Sequence, residues 1–293
     1  MKIWIISGAI VKADSWKKMV ADEDGLLQKY GIEFEVYRRT EIVYIMGGDG
    51  KITFYADGKE VAAPDAFLLY GNIDGAMEGI DSALTASGAK SINPAASKRI
   101  AESKLKTAIL FDKAGLPQAK TMPIFKNTPI EIIKQEIGIP LIVKPDGGFG
   151  GKGVELIKTE EELQKLLDDM PEVVDDVMLA QKYINTSKGK DLRVILANGK
   201  YFTSSVRQSG NPDEFRSNCH QGGHYEDYDI DKETVELCEN AAKVAGLGLC
   251  AIDLLFAEKG FVIGEVNDSP GMALLIRKAG IGTFIKALMG TVR

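Results

Sequence analysis

The chain has 293 residues, 45% hydrophobic and 27% charged, enough for a sizeable core divided among two or three lobes. A formal charge of -6 argues against a general nucleic-acid or anionic-membrane binder, although a local basic cleft fits inside an acidic whole. No apolar run approaches the ~20 residues that span a bilayer.

The chain opens on "KIWIIS", a strand, and "MKIWIISGAIVKADSW" lacks the basic and apolar regions of a secretory leader. Asp14 to Tyr30 suits a helix closed by Gly31, "IEFEVY" a second strand, and "DAFLLYG" a third after the hairpin-like "GGDGKITFYADGKEV". Together these read as a small open α/β unit ending near residue 95, where Asn93-Pro94 marks a boundary. One helix is expected from Ser97 to Ala114, stopped by Gly115 and Pro117. Next come "AKTMPIF" as a strand, a short helix from Pro129 to Glu136, "IPLIVKPD" as a buried strand and "GVELIK" as another. "TEEELQKLL" opens a helix with a capping box, Thr159 to Glu162. "DVMLAQKYI" is expected to start the last lobe, followed by a hairpin about Asn198-Gly199 and a helix from Asp231 to Ala245. The three cysteines, Cys219, Cys238 and Cys250, make no CxxC and no even framework, so reduced thiols in a cytoplasmic setting are expected.

The final hairpin, "AIDLLFAEKGFVIGEVNDSPG", carries acids on apolar strands. A three-residue loop Glu258-Lys259-Gly260 sets Ala257 opposite Phe261 and hence Asp253 opposite Glu265, with Asn267 on the same face as Glu265. Two carboxylates roughly 5 Å apart at Cβ repel unless a cation or proton lies between them. With the Asn267 carbonyl they form an all-oxygen set suited to Mg²⁺ or Mn²⁺, whose remaining ligands are commonly waters and phosphates. The competing reading is a solvated acidic face, which the apolar character of both strands disfavours.

In "IVKPDGGFGGKGVELI", Gly148, Gly150 and Gly153 match G-x-G-x-x-G, but a strand follows where a dinucleotide fingerprint needs a helix. Lys152 precedes Gly153 and no Ser or Thr, so a P-loop fails too. A hinged flap over phosphates remains. Lys144, near the end of a buried strand, needs an anion there, and Lys104, within "ESKLKTAIL", is a second candidate. Asp191 and Arg193 share a strand face, Arg207 lies on the return strand, and Arg216 and Asn218 follow in "FRSN". Forked guanidinium donors fit carboxylates and phosphates, while ion pairs on a surface sheet are the plainer explanation of Arg193 and Asp191. Cys219, His220 and His224 match no strong zinc spacing.

In their order, "IVKPDGGFGGKGV", "QKYI", "GKDLR", "FRSN.HQGG", "IDLL" and "EVNDSPG" resemble the ATP-grasp superfamily, in particular its RimK-like branch of glutamate-adding ligases. The resemblance covers about two thirds of the chain, and the first 95 residues resemble the family's preceding domain in layout alone. It implies an α/β, ATP-grasp fold behind a Rossmann-like pre-ATP-grasp domain at 1–95, an N-terminal lobe with the flap at 96–180 and a C-terminal lobe with the metal site at 181–293. It also implies an ATP-dependent carboxylate–amine ligase working through an acyl phosphate, adding a glutamate-like amino acid to a peptide or small-molecule acceptor. Carried over by motif, Lys104 and Lys144 hold phosphates, and Gln181, Lys182, Tyr183 and Ile184 form the adenine hinge. Asp191 meets the ribose, while Asp253, Glu265 and Asn267 bind two Mg²⁺ ions. Arg216, Ser217 and Asn218 contact phosphates, and Arg207 helps bind the activated carboxylate. Lys182 stands where the family hinge commonly has an acid, and Gln208 where a second arginine often follows. A homo-oligomer, dimer or tetramer, follows from family habit. A phosphotransferase using the same clamp and a non-catalytic ATP-binding regulator are the alternatives.

Overall fold

The computed structural model describes residues 1–8, 10–22, 31–148, 150–172, 176–217, 223–271, 283–284 and 290. The chain begins with β1 (Lys2–Ser7), α1 (Ile10–Asp22), β2 (Glu33–Arg38), β3 (Ile42–Met46), β4 (Ile52–Ala56), β5 (Lys59–Val61), β6 (Ala66–Tyr70), α2 (Gly75–Ala86) and β7 (Lys90–Ser91). Four of these strands form a parallel sheet in the order β2-β1-β6-β7. Parallel sheets are covered on both faces, which is why "IWII" and "AFLL" are apolar at every position. Ile3, Ile5 and Leu68 pack on Trp16 of α1, while Trp4, Ile6, Phe67 and Leu69 pack on Met77, Ile80 and Leu84 of α2. The first helix starts at Ile10, before the expected Asp14, because Ala13 and Trp16 already form its buried face. Of the expected span, residues 23–30 lie outside the described residues. The expected hairpin is an antiparallel three-stranded meander, β3-β4-β5.

Next come α3 (Ala95–Ala101), α4 (Lys104–Lys113), β8 (Thr121–Ile124), α5 (Ile130–Glu136), β9 (Leu141–Pro145), β10 (Glu155–Ile157), α6 (Glu160–Asp169) and β11 (Met178–Lys182). The single helix expected from Ser97 to Ala114 is therefore two. Ser103 breaks it by acting as an N-cap, its hydroxyl accepting from Lys106 N at 3.1 Å. Asp146, from the far side of the lobe, accepts from Leu105 N at 2.6 Å and from the Ser103 hydroxyl at 2.8 Å. Lys104 thus opens a helix instead of lying inside one. The Thr159–Glu162 capping box forms as expected. Strand β11 does not start the last lobe: it pairs with both β9 and β8 in an antiparallel sheet ordered β10-β9-β11-β8. Leu179 and Ala180, adjacent and fully buried, need cover on both faces, and this central position supplies it. On one face Leu141, Val143 and Ala180 pack beneath helices α5 and α6.

The last sheet comprises β12 (Lys190–Ala197), β13 (Lys200–Gln208), β14 (His224–Asp227), β15 (Leu249–Phe256) and β16 (Phe261–Asn267), with α7 (Lys232–Ala245) between β14 and β15. Its order is β14-β13-β12-β15-β16, antiparallel throughout. Asn198 and Gly199, at φ 58° and 64°, make the tight turn between β12 and β13. Leu192, Val194, Leu196, Cys250, Ile252 and Leu254 pack under α7. On the opposite face, Ile195, Ala197, Leu249 and Ala251 dock onto the first sheet. By strand alternation Asp191, Arg193 and Asp253 continue that same face. The strands therefore anchor on the first unit at one end and present buried charges at the other.

The register of the last hairpin differs from expectation in two ways that cancel. Phe256, not Ala257, pairs with Phe261, and Ala257 N bonds Gly260 O at 3.1 Å to close a longer loop. A bulge at Gly264 then shifts the ladder by one residue and restores Asp253 opposite Glu265. A side chain at Gly264 would stand 3.0 Å from Leu255 Cγ and 3.3 Å from Asp253 O, so this crowded bulge suits glycine. Among the described residues, no helix is long and apolar enough to cross a membrane.

Candidate active site

The face of the middle sheet opposite α5 and α6 and the charged face of the last sheet bound a cavity of about 340 Å³. The β9–β10 connection overhangs it. Gly148, Gly150, Gly151 and Gly153 in that connection all have φ between 70° and 86°, where a side chain is strained. Arg216 reaches the flap, donating from Nη1 to Gly151 O at 3.3 Å. The expected strand–glycine loop–strand arrangement is present.

Two lysines rise from the middle lobe. Lys144 alternates with the covered Val143, so it points with Ile142 into the cavity. It is 8% exposed, and its ammonium donates to the neutral Gln181 Oε1 at 3.0 Å. Gln181 is itself held by Thr121, to whose hydroxyl it donates at 2.8 Å. Burial pulls the Lys144 ammonium down from its ordinary 10.5 to about 8. Lys104 donates to the carbonyls of Asp146, Gly147 and Gly148 at 3.3, 3.2 and 3.0 Å, and lies 3.6 Å from Glu265 Oε1. It thereby connects the root of the flap with the last strand.

On the other wall, arginine and aspartate interlock. Arg193 grips Asp253 with both arms at 2.7 Å. Arg207 grips Asp191 at 2.7 and 2.5 Å and also reaches Asp253 Oδ2 at 2.8 Å. Ser217 donates to Asp191 at 2.5 Å, and Asn267 Nδ2 donates to Asp253 at 3.0 Å. Burial would raise the Asp253 carboxyl, but the Arg193 and Arg207 charges and their hydrogen bonds hold it down at about 2. Burial and the Asp253 charge push Asp191 the other way, upward. Arg216 is forked onto Glu214 at 2.8 Å through both Nε and Nη2. Those hydrogen bonds lead in holding the Glu214 carboxyl down at about 2, against the opposing effect of burial.

Asp253, Glu265 and Asn267 offer oxygen alone, the donor chemistry of a hard divalent cation. Among the described residues no cluster of three or more His, Cys, Asp or Glu competes for that role. Asp253 accepts bonds from Arg193, Arg207 and Asn267, so its charge is already compensated. The set fits Mg²⁺ provided the ion replaces part of the arginine grip and the Asn267 amide turns its oxygen toward it.

Of the residues singled out in the sequence, Lys104, Lys144, Gln181, Lys182, Tyr183, Ile184, Asp191, Arg207, Arg216, Ser217, Asp253, Glu265 and Asn267 all line this one cavity. Asn218 lies outside the described residues, as do Cys219 and His220. Asp191 is 5% exposed and accepts from Arg207 and Ser217 on the cavity wall. Arg193 carries more than its strand position foretold. The i, i+2 parity with Asp191 was the available signal, but pairing with Asp253 became visible only through the β12–β15 register. Ile142 and Leu255 give the cavity apolar walls, and no local pattern separates them from ordinary core residues.

The sequence model of the RimK-like ATP-grasp domain matches residues 101–289. A probable alpha-L-glutamate ligase of Vibrio atlanticus (strain LGP32) is 33% identical over 180 residues, 60% of this chain and 58% of that protein. A second, from Methanococcoides burtonii, is 36% identical over 170 residues, 58% of this chain and 56% of that protein. The chain thus spans under two thirds of the length of these relatives. The structure of the ATP-grasp ligase PsnB complexed with minimal precursor, Mg and ADP superposes with a TM-score of 0.72 at 17% identity, covering 99% of this chain and 98% of that one. At that identity the likeness is one of fold, and it takes in the first 95 residues as well.

Proposed function

Because the chain belongs to the RimK-like ATP-grasp family, we propose that it is an ATP-dependent carboxylate–amine ligase that forms an amide through an acyl phosphate. In the first step a substrate carboxylate oxygen attacks the γ-phosphorus of ATP, and ADP leaves with the electrons of the broken P–O bond. An amine nitrogen then attacks the acyl carbon, phosphate departs, and the proton lost by the nitrogen goes to water or phosphate. Catalysis of this kind needs charge neutralisation and alignment more than a side-chain acid or base.

The observation that carries the reading is the buried Lys144 ammonium, which faces the cavity under the glycine flap with a neutral amide as partner. Lys144 and Lys104 would hold phosphate oxygens, and Gln181 to Ile184 would carry adenine, largely through backbone groups. Asp253, Glu265 and Asn267 would hold Mg²⁺, which when bound supplies neutralisation of phosphate charge. Arg216, Ser217 and Asn218 would face the transferring phosphoryl group, and Arg207 the activated carboxylate. Glutamate or a close analogue is the amino acid we favour, a choice supported by the relatives that are 33% and 36% identical. The acceptor would be a peptide or a small molecule.

The test is ADP release across a panel of amino acids and carboxylates, with and without amines, followed by mass measurement of the product. We expect release to require both partners, and a product weighing their sum less one water. Release without amine, yielding a phosphorylated compound, would assign a phosphotransferase instead. Tight ATP binding without turnover across the panel would make the protein a regulator.

A further inference from the structure

Lys98 is a buried charge that the proposed chemistry does not use. It sits on α3 and is 0% exposed. Its ammonium donates to Asp268 Oδ2 at 2.5 Å and to Ser269 Oγ at 3.0 Å. The segment it grips begins one residue after Asn267. That segment is gripped from elsewhere too. Gly71 N donates to Ser269 Oγ at 2.9 Å, and the Tyr70 hydroxyl donates to Pro270 O at 2.5 Å, both from the first unit. Asn93 donates to Asp268 O at 2.9 Å and to Leu249 O at 2.7 Å, and accepts from Leu249 N at 2.9 Å. The first residue of β15 and the residue after β16 are therefore pinned to one amide.

Burying an ammonium is costly even when it is paired. The cost falls where two strands must be held in register to bring Asp253, Glu265 and Asn267 together. Ladder pairing fixes Asn267 from one side, opposite Ala251. The chain beyond it leaves the sheet, and nothing in strand geometry sets its path. We infer that the Lys98–Asp268 pair is a positioning device that anchors the segment after β16 and so aims Asn267 at the divalent cation. The inference rests on the reading of Asn267 as a metal-holding residue. Lys98 acts through Asp268 and Ser269 and touches no substrate.

The double variant Lys98→Met/Asp268→Asn removes both charges at nearly constant volume, and a buried ion pair exchanged for neutral groups commonly leaves stability unchanged or raised. Three quantities are measured: melting temperature, affinity for a non-hydrolysable ATP analogue without metal, and Mn²⁺ affinity by electron paramagnetic resonance with the analogue present. The expected result is a melting temperature near wild type, unchanged metal-free analogue affinity, and Mn²⁺ binding weakened roughly 10–100-fold, the usual effect of losing an outer support of a metal site. Lys200→Met, which removes the exposed pair with Glu239, should change none of the three. A stable double variant with wild-type Mn²⁺ affinity overturns the inference, as does equal loss of analogue and Mn²⁺. Should the double variant fail to fold, Ser269→Ala, which removes one acceptor of the ammonium and leaves both charges paired, faces the same two criteria. A wild-type protein that binds the analogue but no Mn²⁺ removes the metal reading itself, a separate failure visible before any variant is made.

Discussion

Replacing Lys144 by Met should make the ligand-free protein more stable, because the native lysine is held charged where charge is unfavourable. Burial lowers its ammonium from 10.5 to about 8, and at about 1.4 kcal/mol per pH unit the charged form carries about 3 kcal/mol of destabilisation near neutrality. Methionine occupies a similar volume without charge. Gln181 Oε1 then loses its donor, which costs about 1 kcal/mol. The net gain is about 2 kcal/mol, a melting increase of roughly 5 °C for a chain of this size. The sign with pH follows from linkage: the folded-state value lies below the unfolded one, so between them the unfolded chain holds the extra proton and wild-type stability climbs with pH. The destabilisation is full below about 8 and gone above 10.5. Calorimetric melting without nucleotide, near neutral pH and again about two pH units higher, should show the gap between variant and wild type narrowing. A methionine variant that melts below wild type near neutrality, or a gap indifferent to pH, refutes the argument.

If Lys144 holds a phosphate as proposed, nucleotide affinity should be level below about 8 and then fall up to about tenfold per pH unit as the ammonium deprotonates, measured by titration calorimetry, with Lys144→Arg flattening the curve. Lys144→Ala should weaken nucleotide binding more than Lys104→Ala, since Lys104 already serves three flap carbonyls and lies 3.6 Å from Glu265. Equal losses in the same titration would contradict that ranking. Glu265→Gln should abolish ADP release with melting within about 1 kcal/mol of wild type, because Glu265 is 34% exposed and paired loosely. Asp253→Asn should also abolish release but cost about 3 kcal/mol of stability, since it leaves Arg193 and Arg207 buried without their shared carboxylate. Urea melts separate the two cases.

The parts of this site legible in the sequence are those set by short-range rules. Alternation placed Asp191 beside Arg193 and Glu265 beside Asn267, and the Asn198-Gly199 and Thr159–Glu162 signals each gave their turn and cap. Asp253 faces Glu265 because a loop one residue longer than the local pattern predicts is offset by the bulge at Gly264. Gly264 was the visible clue, an isolated glycine inside a strand pattern. What could not be read depends on contacts across the fold. "ESKLKT" has unbroken helical character, and the break at Ser103 is stabilised by Asp146, 43 residues away. Lys98 resembles any solvated helix lysine until Asp268, 170 residues later, is folded against it. Strand β11 carries no local mark of the sheet it joins, because pairing on two edges is decided by partners.

The charges of the cavity explain how one site can be both folded and ready. Asp253 and Asp191 satisfy Arg193 and Arg207, and Glu214 satisfies Arg216. Lys104 leans on carbonyls and Glu265, whereas Lys144 faces a neutral amide. An anion entering under the flap therefore meets Lys144, whose burial it relieves directly, and arginines whose existing partners it must displace. A divalent ion meets the mirror image in Asp253, which has to release guanidinium donors before accepting it. These exchanges favour each other: a cation drawn to Asp253 loosens Arg207 and Arg193, and loosened arginines attract phosphate or carboxylate oxygens. Metal and nucleotide should accordingly bind with positive coupling, through the ion pairs of this cavity, and the coupling should weaken where Arg193 can no longer exchange, as in Arg193→Met.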